Sequence, residues 1–365
     1  MLLSLRGYGI DISIEPAGQF ELAINAQKSV DDLLEIYKDN FQRILPVFEK
    51  RNQLLLCLGY QVKSSIDDLK ILDKPRYKCM YRYFDEYGGS MGQNVMKGSA
   101  SLQVAIDYFD EEDFKKKYFL ANALSPFFYT IFDNSPIFEG EKYHKHNLRQ
   151  TIWENTDKDR VGIFDFSLDK DLTYKKYAEK ILTTPMIFKE KGEQTYYMGT
   201  KTLEEEMTEA NAESLVEHGL SIVFPDVRVK KYLGIRAADQ VPYPYNMGAL
   251  SLIKGIFSNR DLVDDLYNKY SSMTYDKAQA LKKEATSKGI FAKYEGKEIY
   301  LHGLELINLV KNSLEKGEGK YLDPLEKLLR LKKVPRDIFE NLYDEDPKRA
   351  AYEFSLNKFV DELKK

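Results

Sequence analysis

The segment ISIEPAGQFEL, residues 12–22, has the pattern of two β-strands joined by a short turn at residues 16–18. Apolar and polar residues alternate on both sides of that turn, so each strand has one apolar and one polar face. Glu15, Gln19 and Glu21 all fall on the polar face. Because carboxylates are rarely buried without a partner, this face is either solvated or holds a cation.

The same alternation recurs in SASLQVAIDY at 99–108, where Gln103 lies on the polar face. Apolar residues at helical spacing predict amphipathic helices. Further strands are predicted at 53–62 and 228–239, and helices at 29–51, 74–87, 110–126 and 335–364. Since strands concentrate before residue 240 and helices after it, the sequence predicts an α+β fold class.

The amino-acid composition indicates which binding partners and which cellular compartment to expect. The 365 residues, 43% of them hydrophobic, suffice for one large domain or two ordinary ones. The net charge of -4 gives no basic surface for nucleic acid or an anionic membrane, and no apolar run reaches the ~20 residues of a membrane helix. The cysteines, Cys57 and Cys79, form no CxxC pair, so we expect a protein of the reducing cytoplasm.

Common nucleotide and metal motifs are missing from the sequence. There is no GxxxxGK[ST], no GxGxxG between a strand and a helix, and no HExxH. The glycine-rich YGGSMG at 87–92 is typical of a turn, with a phosphate-contacting loop as the alternative. The four histidines are more typical of solvated positions than of a zinc site.

Two sets of polar residues remain as candidates for chemistry. Carboxylate and amide oxygens along the polar strand faces are ligands that Mg²⁺ prefers, although a half-solvated sheet would show the same pattern. Arg76, Arg149 and Arg160 could bind the carboxylate or phosphate of an anionic small molecule, because arginine makes bidentate contacts with both. Surface ion pairs are the alternative for these arginines.

Several blocks, in this order, resemble the plant and bacterial glutamate–cysteine ligase family. They are EPAGQFEL (15–22), PRYKCMYRYF (75–84), SLQVAID (101–107), NSPIFEGE (134–141), LRQTIWENTDKDRVGI (148–163) and FPDVRVKKYLGIRAAD (224–239). The resemblance spans residues 10 to about 260, and weaker helical similarity continues to the end.

This resemblance implies a glutamine-synthetase-like fold, in which an antiparallel sheet flanked by helices forms the active-site cavity. Residues 1–260 would form the catalytic domain and 261–365 a helical region packed on it. It also implies a ligase that uses ATP and Mg²⁺ to join the side-chain carboxylate of L-glutamate to the amine of L-cysteine. An acyl phosphate would be the intermediate and γ-glutamylcysteine, the first product of glutathione biosynthesis, the product. The expected oligomeric state is a monomer or a homodimer.

The resemblance also assigns roles to individual residues. Glu15 and Glu21 are expected to be catalytic metal ligands, and Gln103 is expected to lie beside the nucleotide metals. Arg236 is expected to contact the nucleotide. The substrate-binding residues are expected to be Arg76 and Arg149, which would clamp the glutamate α-carboxylate, together with Arg160.

Four departures from the family pattern bear on these roles. The pattern has a preceding Gly-x-Glu-x-Glu strand, so the sequence is expected to begin inside the fold. It carries a glutamate ligand where Gly234 stands, often asparagine at Ala105, and in many members arginine at Gly98. An upstream reading frame would restore the first strand. The alternatives are a catalytically impaired relative that retains ligand binding, or a ligase with a different amine acceptor.

Overall fold

The computed structural model describes residues 4–192, 194–315 and 317–364, so residues 1–3 of the expected catalytic domain lie outside the description. The chain combines helices with several small sheets, which confirms the α+β class. An antiparallel sheet that forms the active-site cavity was expected. The described residues form two three-stranded antiparallel sheets, three two-stranded antiparallel sheets and one two-stranded parallel sheet. The strands are short and separated by helices, which is why no single ladder extends across the molecule.

The strands are short throughout. In chain order they are β1 Ser4–Gly7, β2 Ile10–Ile14, β3 Phe20–Ile24, β4 Val104–Ile106, β5 Ile137–Phe138, β6 Glu141–Lys142, β7 Val161–Gly162, β8 Pro185–Lys191, β9 Gln194–Thr202, β10 Phe224–Pro225, β11 Val227–Val229, β12 Leu233–Ile235, β13 Lys293–Tyr294 and β14 Lys297–Glu298.

Helices surround these sheets. The α-helices are α1 Val30–Glu49, α2 Pro75–Tyr87, α3 Gly92–Gly98, α4 Glu111–Ile131, α5 Leu148–Glu154, α6 Tyr174–Leu182, α7 Leu203–Glu206, α8 Ala212–Ser221, α9 Tyr245–Ser258, α10 Arg260–Lys269, α11 Tyr275–Lys288, α12 Ile299–Ser313, α13 Asp323–Arg330, α14 Pro335–Glu345, α15 Pro347–Glu353 and α16 Leu356–Leu363. Short 3₁₀ helices lie at Ile66–Asp68, Gly89–Met91, Gly289–Phe291 and Glu318–Leu322.

The first sheet contains the quoted hairpin. Its order is β1-β2-β3, with every pair antiparallel, and Ser13 lies opposite Glu21. The turn closes because the Glu15 amide donates to the Gln19 carbonyl at 2.9 Å. Gly18 has φ +94°, a left-handed conformation that glycine adopts without a steric penalty. The predicted hairpin and its turn are therefore confirmed, and the exposure of side chains alternates as predicted in β3 but not in β2.

The second three-stranded sheet has the order β11-β12-β4 and is antiparallel throughout. Val227, Val229, Leu233 and Ile235 are buried against the core, so the residues between them lie on the opposite face. The strand predicted over 228–239 was too long, because the chain reverses between β11 and β12.

Three other predicted elements were wrong in extent. Residues 53–62 form no strand and pair through isolated bridges at Leu56 and Tyr60. Helix α4 continues past Pro126, because the residues around this proline are completely buried and their packing outweighs the lost hydrogen bond. The helix predicted at 335–364 is divided into three, with Pro347 beginning α15 and Ser355 capping α16.

The largest hydrophobic core extends across residue 260. It contains Phe119 and Phe128 of α4, Leu233 of β12, and Leu281 and Leu306 from the helices that follow. The helices after residue 260 therefore pack directly on the sheets and helices before it. The division into a catalytic domain and a helical region stays a prediction.

Candidate functional site

A carboxylate pair lies at the end of the first hairpin. Glu21 and Ser13 are cross-strand neighbours on the polar face, and the Ser13 hydroxyl donates to Glu15 Oε1 at 3.3 Å. Gln19 contributes to structure instead, because its side chain accepts from the Ala17 amide at 2.9 Å and donates to the Met96 carbonyl at 3.0 Å. The hairpin therefore presents two carboxylates and one hydroxyl on the same face.

The electrostatics of this pair identify the residues opposite it. Glu21 is accessible to solvent, yet the protein around it raises the pKa of its carboxyl, first through desolvation and then through the charge of Glu15. The positive charges of Arg236 and Arg228 act in the other direction and lower this pKa. Glu21 of the first sheet therefore lies within the range of charge interaction of two arginines of the second sheet, and we take these residues together as the candidate site.

Arg236 lies directly after β12, on the face of the second sheet opposite the hydrophobic core, and is itself 9% exposed. Its Nη1 donates to Gln103 Oε1 at 2.5 Å, while Gln103 Nε2 donates to the Ser101 hydroxyl at 3.1 Å. Burial, and then the charges of Arg228 and Arg149, lower the pKa of Arg236 to about 9, so the side chain remains charged at neutral pH. Gln103 thereby fixes the guanidinium at the edge of the sheet.

Two further cations lie on this face. Arg228 of β11 is half-buried, and in the described part of the chain its side chain makes no hydrogen bond or ion pair. Lys230 follows two residues later, and burial together with the charges of Arg228 and Arg236 lowers its pKa. Arg228, Lys230 and Arg236 therefore lie close enough for their charges to interact, and the charge of Glu21 acts on both arginines.

Arg149 supports this arrangement from the buried side. Its side chain is 2% exposed, and its guanidinium donates to the carbonyls of Arg236 at 2.8 Å and Ala237 at 3.2 Å. Its Nη1 also lies 3.6 Å from Asp239 Oδ1, and burial raises the pKa of that carboxyl to about 7. Arg149 thus holds the backbone that carries Arg236, and its expected contact with the glutamate α-carboxylate stays a prediction.

A buried charge network lies beneath the same strands. Asp226, just before β11, accepts hydrogen bonds from the hydroxyls of Ser125 at 2.5 Å and Tyr129 at 3.0 Å. Lys282 of α11 donates to Asp226 at 3.0 Å and pairs with Glu154 at 3.3 Å. Burial alone would lower the pKa of Lys282, but the charges of Asp226 and Glu154 outweigh it and raise that pKa. A helix from the C-terminal third thereby anchors β11.

The start of α2, which carries Arg76, contacts the first hairpin. Tyr77 and Lys74, at the start of α2, donate to the Ile14 carbonyl at 3.3 Å, one residue before Glu15. Arg76 is exposed, stacks on the Tyr77 ring at 5.0 Å and forms no ion pair with any described residue. Its contact with the glutamate α-carboxylate stays a prediction.

Arg160 occupies a different environment. It is completely buried, and its Nε donates to Asp157 Oδ2 at 2.5 Å. Its remaining nitrogens donate to the carbonyls of Ile222 and Pro185, each at 3.1 Å. These contacts join the loop that follows α5 to the residue after α8 and to the start of β8, and none of them involves the carboxylate pair or the second sheet. A substrate contact for Arg160 stays a prediction.

Two concavities occur away from this site. One of about 280 Å³ is lined by residues that include His146 and Lys332, and one of about 390 Å³ by residues that include Asp31 and Tyr243. Neither contains a residue predicted to bind substrate, nucleotide or metal. The electrostatic cluster, rather than either concavity, defines the candidate site.

Comparison with known families decides the classification. The model of glutamate-cysteine ligase family 2 matches residues 5–349, which is nearly the whole chain. The chain belongs to glutamate-cysteine ligase family 2. The expected resemblance is therefore confirmed, and so is the coarse assignment to ATP-dependent carboxylate–amine ligases.

Relatives of this family member include plant ligases. The glutamate–cysteine ligase A of Oryza sativa subsp. indica, named as chloroplastic, is 26% identical over 351 residues, or 93% of this chain and 71% of the relative. The chloroplastic glutamate–cysteine ligase of Medicago truncatula is 25% identical over 99% of this chain and 72% of its own. That of Arabidopsis thaliana is 25% identical over 94% and 68%.

The structure gives a physical account of the departures from the family pattern. Gly234 pairs with Ala105 on one side and Arg228 on the other, so both altered positions are adjacent across the sheet. Neither residue has a side-chain atom that could coordinate a metal ion. At Gly98 a Cβ would lie 2.3 Å from the Tyr60 ring, so this ring fills the space that a larger side chain would need.

The residues of this family member fit one Mg²⁺ better than several. Among residues 4–192, 194–315 and 317–364, no three His, Cys, Asp or Glu side chains are grouped to hold a metal ion. Glu15 and Glu21 form a like-charged pair that a cation would relieve, and Mg²⁺ is often held by one or two carboxylates plus substrate phosphates. Gln103 already accepts a hydrogen bond from Arg236, so its role as a metal ligand stays a prediction.

Sequence reasoning missed several members of the site. Arg228 and Lys230 could have been found, because alternation in VRVKKYLGIR places them opposite the buried Val227 and Val229. Lys282 gave no such signal, since a lysine within a helix of mixed charge is typical of a solvated surface.

Proposed function

We propose that this family member catalyses the ATP-dependent ligation of L-glutamate to L-cysteine, giving γ-glutamylcysteine. The γ-carboxylate would attack the terminal phosphorus of ATP and release ADP. The cysteine amine would then attack the acyl carbon, with loss of phosphate and of a proton from nitrogen. Family membership supports the reaction class, and the plant relatives' names support the substrates.

The observation that carries this proposal is the carboxylate pair of one sheet facing the arginines of the other. Glu15 and Glu21 would hold Mg²⁺, which offsets the charge of a triphosphate approaching a carboxylate. Arg76, Arg228 and Arg236 provide guanidinium groups for the anionic ends of the substrates. Arg149 orients Arg236 through its backbone, so the site is arranged before substrate binds.

Replacing Glu21 tests the cation site. In Glu21→Gln a neutral amide takes the place of one of two charges that hold Mg²⁺. We expect the Mg²⁺ concentration for half-maximal rate to rise by at least about tenfold. Phosphate release from ATP with glutamate and cysteine measures the rate.

Glu213→Gln is the matched control, because it removes an exposed glutamate from α8, away from the site. Its Mg²⁺ requirement should equal that of the wild type. An unchanged requirement in Glu21→Gln would remove Glu21 from the cation site. Absence of cysteine-dependent phosphate release from the wild-type protein at millimolar Mg²⁺ would refute the ligase proposal.

The second candidate function is a ligase that joins glutamate to a different amine, or a relative that binds ligands without turnover. Gly234 and Ala105 favour it, since neither supplies a metal donor on a face that otherwise resembles a ligase site. Comparing amines in the phosphate-release assay distinguishes these cases. Binding of ATP and glutamate without release for any amine would support the non-catalytic form.

We also propose a reducing compartment such as the cytoplasm. Cys57 is buried, Cys79 is half-buried, and both are free thiols. None of the helices in the described residues has the length and apolarity needed to cross a membrane. Fractionation of the native host cell, followed by immunodetection, tests the location.

A further inference from the structure

The outer face of the second sheet carries three positive side chains, Arg228, Lys230 and Arg236. Arg228 makes no side-chain hydrogen bond or ion pair in the described residues, and the Arg236 guanidinium is held by the neutral Gln103. Lys230 adds a third cation. Glu21, on the other sheet, is the carboxylate whose charge acts on both arginines. Desolvated cations of this kind are stabilised when an anion binds between them.

Strand β12 places no side chain next to Arg228. Gly234 lies directly opposite Arg228 on one side and Ala105 on the other. A Cβ added at Gly234 would have as its nearest neighbours the Arg228 carbonyl oxygen at 3.7 Å and the Tyr232 ring at 4.0 Å, which are ordinary contacts. Glycine is therefore not required by packing here, and its effect is to leave space beside Arg228.

This space is unsuited to a cation. Ala105 and Gly234 offer no oxygen donor from a side chain, and the residue opposite Gly234 on β11 is the cation Arg228. A divalent cation placed here would be repelled by Arg228 and Arg236. Burial, and then the charge of Arg228, already lowers the pKa of Arg236. A carboxylate or phosphate would instead relieve that repulsion.

We propose that Arg228, Arg236, Gly234 and Ala105 form an oxyanion-binding site, which takes a carboxylate or phosphate group of the substrates against the strand. The proposal rests on the ligase function above and assigns to this chain an anion where the family resemblance implies a metal-binding glutamate. The cation is then confined to the edge formed by Glu15 and Glu21.

The substitution Gly234→Glu separates the two interpretations by the sign of its effect. If the site binds an oxyanion, the new carboxylate pairs with Arg228 and competes with the ligand. If the site is a metal site that has lost a ligand, the same change restores cation binding. The variant should fold, because the added Cβ makes ordinary contacts and the position lies in an extended strand.

Calorimetry of the full chain in EDTA, with inorganic phosphate or L-glutamate as the probe, measures the oxyanion directly. We expect at least one probe to bind the wild type and to bind Gly234→Glu about tenfold or more weakly, as for loss of a charge-assisted contact. The probe that loses affinity identifies the group: phosphate indicates the nucleotide and glutamate its carboxylate. Gly234→Gln introduces a side chain of the same size as glutamate but without charge, and it should lose less affinity for the probe.

Thr200→Glu is the charge-matched control, since it places one new carboxylate on an exposed strand position of β9. Its affinity for both probes should equal that of the wild type. Binding of Mn²⁺, followed by electron paramagnetic resonance, should show no additional ion in Gly234→Glu. Three results would overturn the proposal. Gly234→Glu could bind the probes as tightly as the wild type or more tightly, it could bind an additional Mn²⁺, or the wild type could bind neither probe.

These measurements do not depend on turnover. Failure of the ligase proposal would appear as absent phosphate release from ATP, whatever the calorimetry shows. Failure of the oxyanion site would appear in the EDTA titrations, even if the protein proves to be an active ligase.

Discussion

At the scale of single residues, the burial of Arg149 distinguishes a residue that contacts substrate from one that positions another side chain. A substrate clamp needs a guanidinium open to the ligand, whereas Arg149 is 2% exposed and directs its Nη atoms at the carbonyls of Arg236 and Ala237. Each of those carbonyls would lose a charged donor if the side chain were shortened. We infer that Arg149 is a positioning residue whose effect reaches the ligand through Arg236.

Arg149→Lys keeps the charge but cannot reach several carbonyls at once with a fork of donors. We expect the glutamate KM to rise about tenfold, and unfolding to be easier by roughly 1–3 kcal/mol because buried acceptors lose their donor. Steady-state kinetics and urea unfolding measure both. Arg43→Lys, at an exposed position of α1, should change neither. A raised KM with unchanged stability would instead support direct contact with glutamate.

At the scale of elements, the β2–β3 hairpin determines where the carboxylates lie. The turn is closed by the backbone bond between Glu15 and Gln19, and the Gln19 side chain fastens it to α3 through the Met96 carbonyl. Gly18 allows the left-handed turn at φ +94°. Because Glu15 belongs to the turn, an error in its geometry would separate Glu15 from Glu21.

Gly18→Ala should therefore destabilise the protein by ~1–2 kcal/mol, the cost of a left-handed conformation for a residue with a Cβ. The midpoint of urea unfolding measures the change. Gly7→Ala is the matched control in the same sheet, since its φ is ordinary and a Cβ there would meet open space. Equal stability of the Gly18→Ala and Gly7→Ala variants would contradict the argument from backbone conformation.

At the scale of the whole molecule, the helices after residue 260 support the site from beneath. Lys282 of α11 reaches Asp226, whose backbone carbonyl accepts from the Arg236 amide at 2.9 Å. Asp226 also binds Ser125 and Tyr129 of α4. Three parts of the chain that are distant in sequence thus meet at one buried carboxylate.

Lys282→Met should cost roughly 3–5 kcal/mol of unfolding free energy, because it leaves Asp226 buried without its cation. Lys283→Met, the neighbouring exposed lysine, should change stability by less than about 0.5 kcal/mol. Chemical denaturation of both variants provides the comparison. Similar stability of the two variants would show that Asp226 is satisfied by Ser125 and Tyr129 alone.

The sequence by itself determined the local pattern of the site. Alternation identified the polar faces that carry Glu15, Glu21 and Gln103, because side chains of a strand alternate with a fixed period. It also predicted the α+β class and the hairpin turn. It overestimated the lengths of the later strands, since at the reversal between β11 and β12 a single residue, Lys231, interrupts the alternation.

Only the tertiary structure decided which side chains meet. It brought the carboxylates of the first sheet opposite Arg228 and Arg236, buried Arg149 and Arg160, and joined Lys282 to Asp226. Such contacts depend on how sheets and helices pack over long separations in the chain, and residue spacing carries no information about that packing. The oxyanion site rests on the pairing of Gly234 with Ala105 and Arg228. That pairing is set by strand register, so it too was decided by the tertiary structure.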